Sequence, residues 1–489
     1  MPSTFTHEFN TPTFKAKVSF STGLFINGQF LNGSDNTTIE YDLPLSLIER
    51  FLLTSTILVS STRVPNGKVI TSVSEATPKD VDLAVDAAHK AFDTTWGLHA
   101  PGAQRSILMS KLVTLMEKNA DELAALEALD NGKTFKWARN ADVAGAIDCI
   151  RYYAGWADKV TGQVQETTED KLTYTRHEPI GVVVKFTPLT AIRMCHLINE
   201  AGFPPGVVNV LTGYGNTVGN AISSHMKVEK VAFTGSTLVG RKIMEAAAKS
   251  NLKNVTLELG GKSPNIIFDD ADIEQAVNWA AFGIFWNHGQ TCCAGSRIYV
   301  QEGIHDEFLK RFTEKTRSLK VGDPFAPDTF QGPQVSEVQF NRIMSYIESG
   351  KSAGAKVEVG GERHGSEGYF IKPTIFTNVD PSMKIVQEEI FGPVGVVIKF
   401  KDEEDVIKQA NDTVYGLAAA VFTQNLNRAI NTAHRLKAGT AWINCVNSLN
   451  SNVPFGGFKQ SGIGRELGEY ALSNYTAVKS VHVNLGHRM

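Results

Sequence analysis

The chain has 489 residues, of which 42% are hydrophobic and 20% are charged, and its formal net charge is -3. This composition is typical of a globular protein that is long enough to divide into two or three domains. The small net charge, without a run of Lys and Arg or a basic patch interleaved with aromatic residues, argues against nucleic acid as a partner.

The composition also bears on membranes, redox state and metals. Residues 1–17 are polar and lack both the apolar core of a secretory signal and the Arg-rich pattern of a transit peptide. The apolar run 43–59 carries Glu49 and Arg50 near its middle, and it is shorter than the about 20 apolar residues that cross a bilayer. The five cysteines have no regular spacing. The sequence therefore predicts a cytoplasmic protein without a membrane partner, a disulfide framework or a metal site.

The predicted elements begin with helices. Thr77, Pro78 and Asp80 predict a helix start, with a cap, a proline at the first helical position and an acidic residue near the positive end of the helix dipole. Amphipathic patterns over 107–126 and 141–157 predict further helices. This part of the chain is expected to be helical cladding.

Two alternations of strand and helix follow. From Val182 onward, predicted strands at 207–211, 231–233 and 255–259 alternate with helices, which is typical of a parallel sheet that is covered on both faces. A second alternation has predicted strands at 296–300, 394–400 and 439–444. The sequence therefore predicts two α/β units with a boundary near Gly261.

A possible anion site lies in the first unit. The predicted strand Lys230–Thr234, which contains Phe233, leads directly into a helix that opens at Gly235-Ser236-Thr237 and continues to Lys249. Free amides and the helix dipole favour a pyrophosphate at such a helix start, where Gly235 permits close backbone approach and Gly240 lets helix and sheet pack. The pattern is not the GxGxxG fingerprint, and Ser and Thr cap many ordinary helices.

Two runs carry the chemistry. Cys292 lies in the run 287–297, in which small residues leave room for a carbonyl carbon to approach the sulfur and for backbone amides to face the developing oxyanion. Glu258 lies between Leu257 and Leu259 at the end of an apolar strand, where partial desolvation would raise the pKa of a carboxyl toward that of a general base. The pair predicts a cysteine nucleophile with a glutamate base.

The order and content of the runs 257–264 and 287–297 resemble the NAD(P)-dependent aldehyde dehydrogenase superfamily, in its fungal and animal cytosolic and mitochondrial type. Runs 388–394 and 454–466 match as well, and the resemblance extends from Gly23 to Val483. It selects Cys292 over Cys293, because the reactive sulfur of the family follows Gly-Gln-x directly. It implies oxidation of an aldehyde to a carboxylate through a thiohemiacetal and a thioester that Glu258 helps to hydrolyse.

The resemblance also implies binding roles. Lys185 and Glu389 would bind the ribose units of the cofactor, Phe391 would pack beside the nicotinamide ring, Phe455 would line the aldehyde tunnel and Leu449 would stand near its mouth. The implied cofactor is NAD, with NADP possible, and the implied substrate is a small aldehyde.

The implied fold is α/β, with two doubly wound parallel-sheet domains and bridging strands. Residues 18–152 and 178–260 would form the NAD-binding domain and residues 261–465 the catalytic domain. Residues 153–177 and 466–489 would supply bridging and oligomerisation strands, and the implied state is a homodimer or homotetramer.

The sequence departs from the family pattern at two places. Between Gly181 and Thr187 it has about thirty residues fewer than the family, and the absent part would contain the oxyanion asparagine, a strand and a helix. The Rossmann-type domain is therefore expected to be truncated. Residues 41–62 are expected to be an anomalous insertion, and we interpret both departures as splicing errors of the gene model.

Two other functions stay open at this point. A catalytically impaired paralogue or mis-spliced form could act only as a binding or subunit partner. Alternatively, Cys292 and Glu258 could hydrolyse thioesters or esters without nicotinamide.

Overall fold

The computed structural model describes residues 2–40, 56–58, 62–63, 68–184, 189–486 and 488. The strands are β1 (Thr4–Asn10), β2 (Lys15–Ser21), β3 (Leu24–Ile26), β4 (Gln29–Leu31), β5 (Thr38–Glu40), β6 (Thr56–Leu58), β7 (Thr62–Arg63), β8 (Lys68–Val69), β9 (Ser72–Ser74), β10 (Val164–Gln165), β11 (Lys171–Pro179), β12 (Val183–Val184), β13 (Val210–Thr212), β14 (Lys230–Thr234), β15 (Asn254–Glu258), β16 (Pro264–Ile267), β17 (Arg297–Gln301), β18 (Lys356–Val359), β19 (Thr374–Thr377), β20 (Val394–Phe400), β21 (Ala418–Phe422), β22 (Thr440–Ile443), β23 (Gly462–Ile463) and β24 (Thr476–Asn484). The α-helices are α1 (Pro78–Thr94), α2 (Gly102–Lys118), α3 (Ala120–Asn131), α4 (Phe135–Trp137), α5 (Ala144–Trp156), α6 (Leu189–Ala201), α7 (Asn220–Ser224), α8 (Thr237–Lys249), α9 (Ile273–Phe285), α10 (His305–Arg317), α11 (Glu337–Ser352), α12 (Lys384–Gln387), α13 (Glu403–Asn411) and α14 (Leu426–Arg435).

The helical cladding confirms one predicted boundary and corrects another. Helix α1 begins at Pro78, and the amide of Thr77 donates to the Asp80 carboxylate at 2.8 Å. The pattern over 107–126 does not form one helix, because Asn119 ends α2: its side chain donates to the Leu115 carbonyl at 2.8 Å. Helix α3 then restarts with the amide of Leu123 donating to the Asn119 carbonyl at 2.9 Å.

The sheet that contains β14 and β15 has the order β12-β14-β15-β23, in which the first three strands are parallel and β23 pairs antiparallel at the edge. Helix α8 packs on this sheet at Gly240, where a Cβ would lie 2.9 Å from Leu259 Cδ2. The predicted strands at 231–233 and 255–259 and the predicted helix to Lys249 are confirmed, as is the close packing at Gly240.

The expectation that strand 207–211 belongs to this same sheet is wrong. The observed strand β13 lies in a separate sheet of order β4-β3-β13-β6. It pairs antiparallel with β3 on one side and parallel with β6 on the other. Because both edges of β13 are already hydrogen-bonded, neither edge is left to join β12. The expected truncation of the Rossmann-type domain stays a prediction.

The second α/β unit is built around a seven-stranded sheet of order β18-β19-β20-β17-β16-β21-β22. All its neighbouring strands are parallel except β18 and β19. The strands predicted at 296–300, 394–400 and 439–444 are confirmed to within one residue. Helices α9 and α10 cover one face through the buried side chains of Phe285, Phe308 and Phe312, each of which stabilises the fold by about 1.5–3 kcal/mol through burial.

The segments expected to bridge form a three-stranded sheet of order β10-β11-β24. Strands β11 and β24 pair antiparallel over nine residues each, and β24 is an edge strand. The domain boundaries given above stay predictions. Most of the expected insertion 41–62 lies outside the described residues. No helix in the described ranges is long and apolar enough to span a bilayer.

Candidate active site

A cavity of about 330 Å³ brings together residues from distant parts of the chain. Cys292 and Glu258 both line it, and Leu449 and Phe455 contribute to its walls. Thr234, the last residue of β14, lines it as well, so the turn that follows β14 starts at the edge of the cavity. The structure thus places the predicted nucleophile, base and tunnel residues around one space.

Glu258 is the last residue of β15 and only 7% of its surface is exposed. Its carbonyl accepts from the amide of Gly235 at 3.0 Å, which ties the end of β15 to the turn after β14. A Cβ at Gly456 would lie 2.7 Å from Glu258 Oε1. A glycine at 456 therefore leaves the space that the Glu258 carboxylate needs to reach the cavity.

Two glycines after β15 allow the chemical groups to converge. A Cβ at Gly260 would lie 1.9 Å from Glu389 Oε2, and a Cβ at Gly261 would lie 2.5 Å from the Cys292 carbonyl oxygen. The amide of Gly261 also donates to Glu389 Oε1 at 3.4 Å. The glycine pair thus leaves space for the Glu389 carboxylate and for the backbone of residues 287–297, which we call the nucleophile run. The sequence did not predict this role.

The nucleophile run has an unusual backbone. Asn287, His288 and Gly289 have φ angles of 51°, 60° and 68°, so three consecutive residues are left-handed. Such backbone costs an ordinary residue about 1–2 kcal/mol and is typical of functional sites. Two hydrogen bonds secure it: Asn287 Nδ2 donates to the Gln290 carbonyl at 2.8 Å, and the amide of Val335 donates to Gln290 Oε1 at 3.1 Å.

His288, directly inside this run, is 1% exposed. Its burial, together with the nearby positive charge of Lys133, lowers the pKa of His288 to about 3. The imidazole is therefore neutral at physiological pH and acts as a packing residue beneath the nucleophile run.

The two adjacent cysteines differ in their surroundings. Cys292 is half-buried at the cavity, whereas Cys293 is 3% exposed and its thiol donates to Asn447 Oδ1 at 3.4 Å. A nucleophile must be reachable by its substrate. The greater exposure of Cys292 agrees with the choice that the family pattern indicates.

The predicted anion site is a turn that leads into the exposed start of α8. Ser236 caps the helix, and its hydroxyl accepts from the amide of Val239 at 3.3 Å. The space beside Gly235 is taken by the ring of Phe233, which a Cβ would approach to 2.4 Å. The Phe233 ring therefore explains why residue 235 is a glycine. The close approach of a ligand, which the sequence led us to expect, is not needed as the reason.

The residues of this region fit a dinucleotide. The amides at the start of α8 are accessible, since Ser236 and Leu238 are exposed, and they suit a pyrophosphate. The Glu389 carboxylate lies nearby against Gly260. Phe391 has a φ of 55°, and its carbonyl accepts from Gln339 Nε2 at 2.8 Å. Lys185 lies outside the described residues.

Sequence reasoning missed most of the cavity wall. Trp137, Phe282 and Trp286 form an aromatic cluster with ring centroids 5.7–6.3 Å apart, and all three line the cavity. The wall also contains the carboxylates of Asp148 and Glu466, but none of its described residues is Lys, Arg or His. Glu466 is the last residue of the matching run 454–466, but the other positions carry no local motif, so no sequence signal pointed to them.

A parallel α/β scaffold with a half-buried cysteine and a strand-end glutamate at one cavity is typical of enzymes with a covalent cysteine mechanism. The model of the "Aldehyde dehydrogenase family" matches residues 55–188 and 184–481. The chain therefore belongs to the aldehyde dehydrogenase family, and its activity is that of an aldehyde dehydrogenase.

Individual relatives agree. An aldehyde dehydrogenase of Agaricus bisporus is 62% identical over an alignment of 520 positions that covers 100% of both chains. Aldehyde dehydrogenase 1A1 of Gallus gallus is 49% identical and covers 86% of this chain and 89% of its own length. The NAD+ complex of the Bacillus cereus aldehyde dehydrogenase has a TM-score of 0.89 and 44% identity, covering 95% of this chain and 97% of its own.

These comparisons bear on the two departures. Because the Agaricus relative aligns with the whole chain, the expectation of an impaired or mis-spliced form finds no support. The segment missing after Gly181 stays a prediction. It is consistent with two observations: the family match is divided at 184–188, and the alignment of 520 positions exceeds the 489 residues of the chain.

Proposed function

We propose that this aldehyde dehydrogenase oxidises a small aldehyde with Cys292 as nucleophile and Glu258 as general base. The observation that carries the proposal is that both side chains line one cavity, whose edge is formed by the end of the strand that leads to α8. This arrangement joins a covalent site to an anion-binding helix start, as a nicotinamide-dependent oxidation requires.

The reaction begins when Cys292 Sγ attacks the aldehyde carbon, forming a C–S bond and a thiohemiacetal. Bound NAD would supply the hydride acceptor for conversion of this adduct to a thioester, and the start of α8 together with Glu389 and Phe391 would hold it. Glu258 then takes a proton from a water that attacks the thioester carbon, the C–S bond breaks, and the proton passes to Sγ, so that the acid is released and the Cys292 thiol is restored. The low exposure of Glu258 favours proton acceptance, because desolvation penalises a carboxylate.

The binding roles follow from position. Ser236, Thr237 and the amides of the α8 start would hold the pyrophosphate, and Glu389 and Phe391 would hold the nicotinamide end. The location of Glu389 against Gly260, two residues after the base, supports this assignment. The same groups would accept NADP in place of NAD, and a cytoplasmic location stays a prediction.

A homodimer or homotetramer is proposed on the basis of the sheet that contains β24. This edge strand leaves backbone groups available for pairing, and Val478 and Leu485 on it and just beyond it are 62% and 59% exposed. Analytical ultracentrifugation tests the proposal, and a monomer at micromolar concentration would contradict it.

The decisive test uses the neighbouring cysteines. NADH formation from acetaldehyde is measured for Cys292→Ala, with Cys293→Ala as the matched control. Loss of the nucleophile is expected to lower turnover by at least about 10³-fold, whereas Cys293→Ala retains turnover of the wild-type order. Equal velocities for wild type and Cys292→Ala would exclude Cys292 as the nucleophile.

A further inference from the structure

A second cavity, of about 380 Å³, lies against the C-terminal end of α5, one to two turns along the helix from the residues that line the active site. Helices α1 and α2 and the segment between them form one wall, the C-terminal end of α5 forms another, and residues 177–183 and 472–476 close the space. Tyr153 and Trp156 of α5 line this cavity, whereas Asp148 and Cys149 of the same helix line the active-site cavity.

Arg105 is the distinctive group of this second cavity. Its Nε is buried and has no hydrogen-bond partner. One terminal nitrogen donates to the Gly97 carbonyl, and the guanidinium lies over the Trp96 ring at 5.4 Å. Burial is the one cause that lowers the pKa of the Arg105 guanidinium, and no carboxylate of the described residues acts on it as a counter-ion. A partly buried cation without a counter-ion favours binding of an anion. Because a guanidinium only donates hydrogen bonds, the best ligand is an anion that only accepts them.

The other lining residues indicate that the uncharged part of that anion is apolar. The described lining residues are mostly aromatic and aliphatic and include no Asp or Glu. The hydroxyl of Tyr153 is already engaged, since it donates to the Gly468 carbonyl at 3.0 Å. The second cavity therefore presents a mostly apolar space whose basic side chains are Arg105 and His177, whereas the active-site cavity contains three carboxylates and, among its described residues, no basic side chain.

We propose that the second cavity binds a small amphipathic carboxylate, with the carboxylate on Arg105 and the apolar body against Trp96, Tyr153 and Trp156. The carboxylic acid made from an aliphatic aldehyde belongs to this class, and that link alone rests on the proposed function. Helix α5 forms part of both cavities. A ligand in the second cavity therefore contacts a helix that also forms part of the active-site wall.

Calorimetric titration of the full chain with octanoate, and with octanamide as the neutral isostere, tests the proposal without any turnover. Octanoate is expected to bind at least about tenfold more tightly than octanamide, because only the carboxylate forms charge-assisted hydrogen bonds with a guanidinium. Arg105→Gln is expected to remove that difference, and Arg105→Lys to bind octanoate more tightly than Arg105→Gln does.

Three controls make the test decisive. Arg311→Gln removes a surface arginine that pairs with Glu307 on α10 and is expected to leave octanoate binding unchanged. Ala157→Phe fills the cavity while it keeps Arg105, and is expected to abolish binding even if Arg105→Gln is unstable. Alkylation of Cys292 with iodoacetamide blocks the active site and is expected to leave binding intact. Absence of octanoate binding, equal affinity in Arg105→Gln, or loss upon alkylation would overturn the proposal.

Discussion

The nucleophile run is held in place by several segments that lie far from it in the chain. The turn after β14 is held mainly by its own helix and by the neighbouring strand β15, whose Glu258 carbonyl accepts from the Gly235 amide, with one long contact from the Thr237 hydroxyl to the Gln460 carbonyl at 3.4 Å. Around the nucleophile, Gly289 abuts the Gly392 carbonyl, Gly295 abuts the Asn265 side chain, and Gln290 accepts from Val335. At the turn after β14, Ser236 caps the helix to which it belongs. The sheet behind that turn has four described strands, against the seven strands of the sheet in the second α/β unit.

The difference reflects what each side has to do. Covalent attack requires the sulfur, the carbonyl carbon and the base to be placed within a fraction of an ångström, which several independent contacts can enforce. Anion binding at a helix start requires only accessible amides and the helix dipole. Substitutions on the nucleophile side are therefore expected to act on turnover, and substitutions on the cofactor side on affinity.

The largest effect in this comparison is expected for Glu258→Gln. The amide cannot accept the proton of the hydrolytic water, so turnover is expected to fall by about 10²- to 10⁴-fold, with little change in NAD affinity. Rapid-mixing kinetics would then show a single burst of NADH followed by slow release of the acyl group. A Glu258→Gln variant with wild-type steady-state turnover would contradict the role of this residue.

Gly260→Ala tests whether Glu389 acts in cofactor binding and not in turnover. The new Cβ would lie 1.9 Å from Glu389 Oε2, so the carboxylate must move, and the KM for NAD is expected to rise by about tenfold, as for the loss of one charge-assisted hydrogen bond. Gly303→Ala is the matched control, because a Cβ at Gly303 meets no atom within 4 Å. Equal KM values for the two variants would refute a cofactor role for Glu389.

The buried imidazole beneath the nucleophile predicts a pH effect on stability. The pKa of His288 is about 3 in the fold against about 6.5 when unfolded, so between these values the unfolded chain binds more protons. Its stabilising contribution is complete above about pH 6.5 and is lost as the pH falls toward 3. Chemical denaturation from pH 7 to 4 is expected to show a shallower decline for His288→Asn than for wild type, and parallel declines would contradict it.

The smallest effect is expected at the helix cap. Ser236→Ala removes the acceptor for the Val239 amide and is expected to cost about 1 kcal/mol of unfolding free energy. Ser336→Ala is the matched control, because Ser336 caps α11 in the same way by accepting from the Gln339 amide at 3.2 Å. Both lose similar stability, but only Ser236→Ala is expected to raise the KM for NAD. A rise in both variants would show that stability, not the anion site, causes it.

The sequence predicted the site in parts. The strand at 230–234, the helix start at Ser236 and the strand predicted at 255–259 each depend on local patterns of caps, glycines and apolar residues. The structure confirms them, with the last strand at Asn254–Glu258. The break at Asn119 could not be foreseen, because it depends on a side chain that returns to the backbone within a continuous apolar pattern.

Local patterning and motif content were sufficient to identify the α/β fold class and the family, and to propose the pair Cys292 and Glu258, because those features depend on residues that are neighbours in the chain. Which strands pair with which was decided only by the tertiary structure, as the separate sheet of Val210–Thr212 shows. The packing of Glu389 on Gly260 and the opposite charges of the two cavities were likewise decided there. The reason is physical: strand edges, glycine clearances and unpaired charges are properties of contacts between segments that lie far apart in sequence, and no local periodicity encodes them.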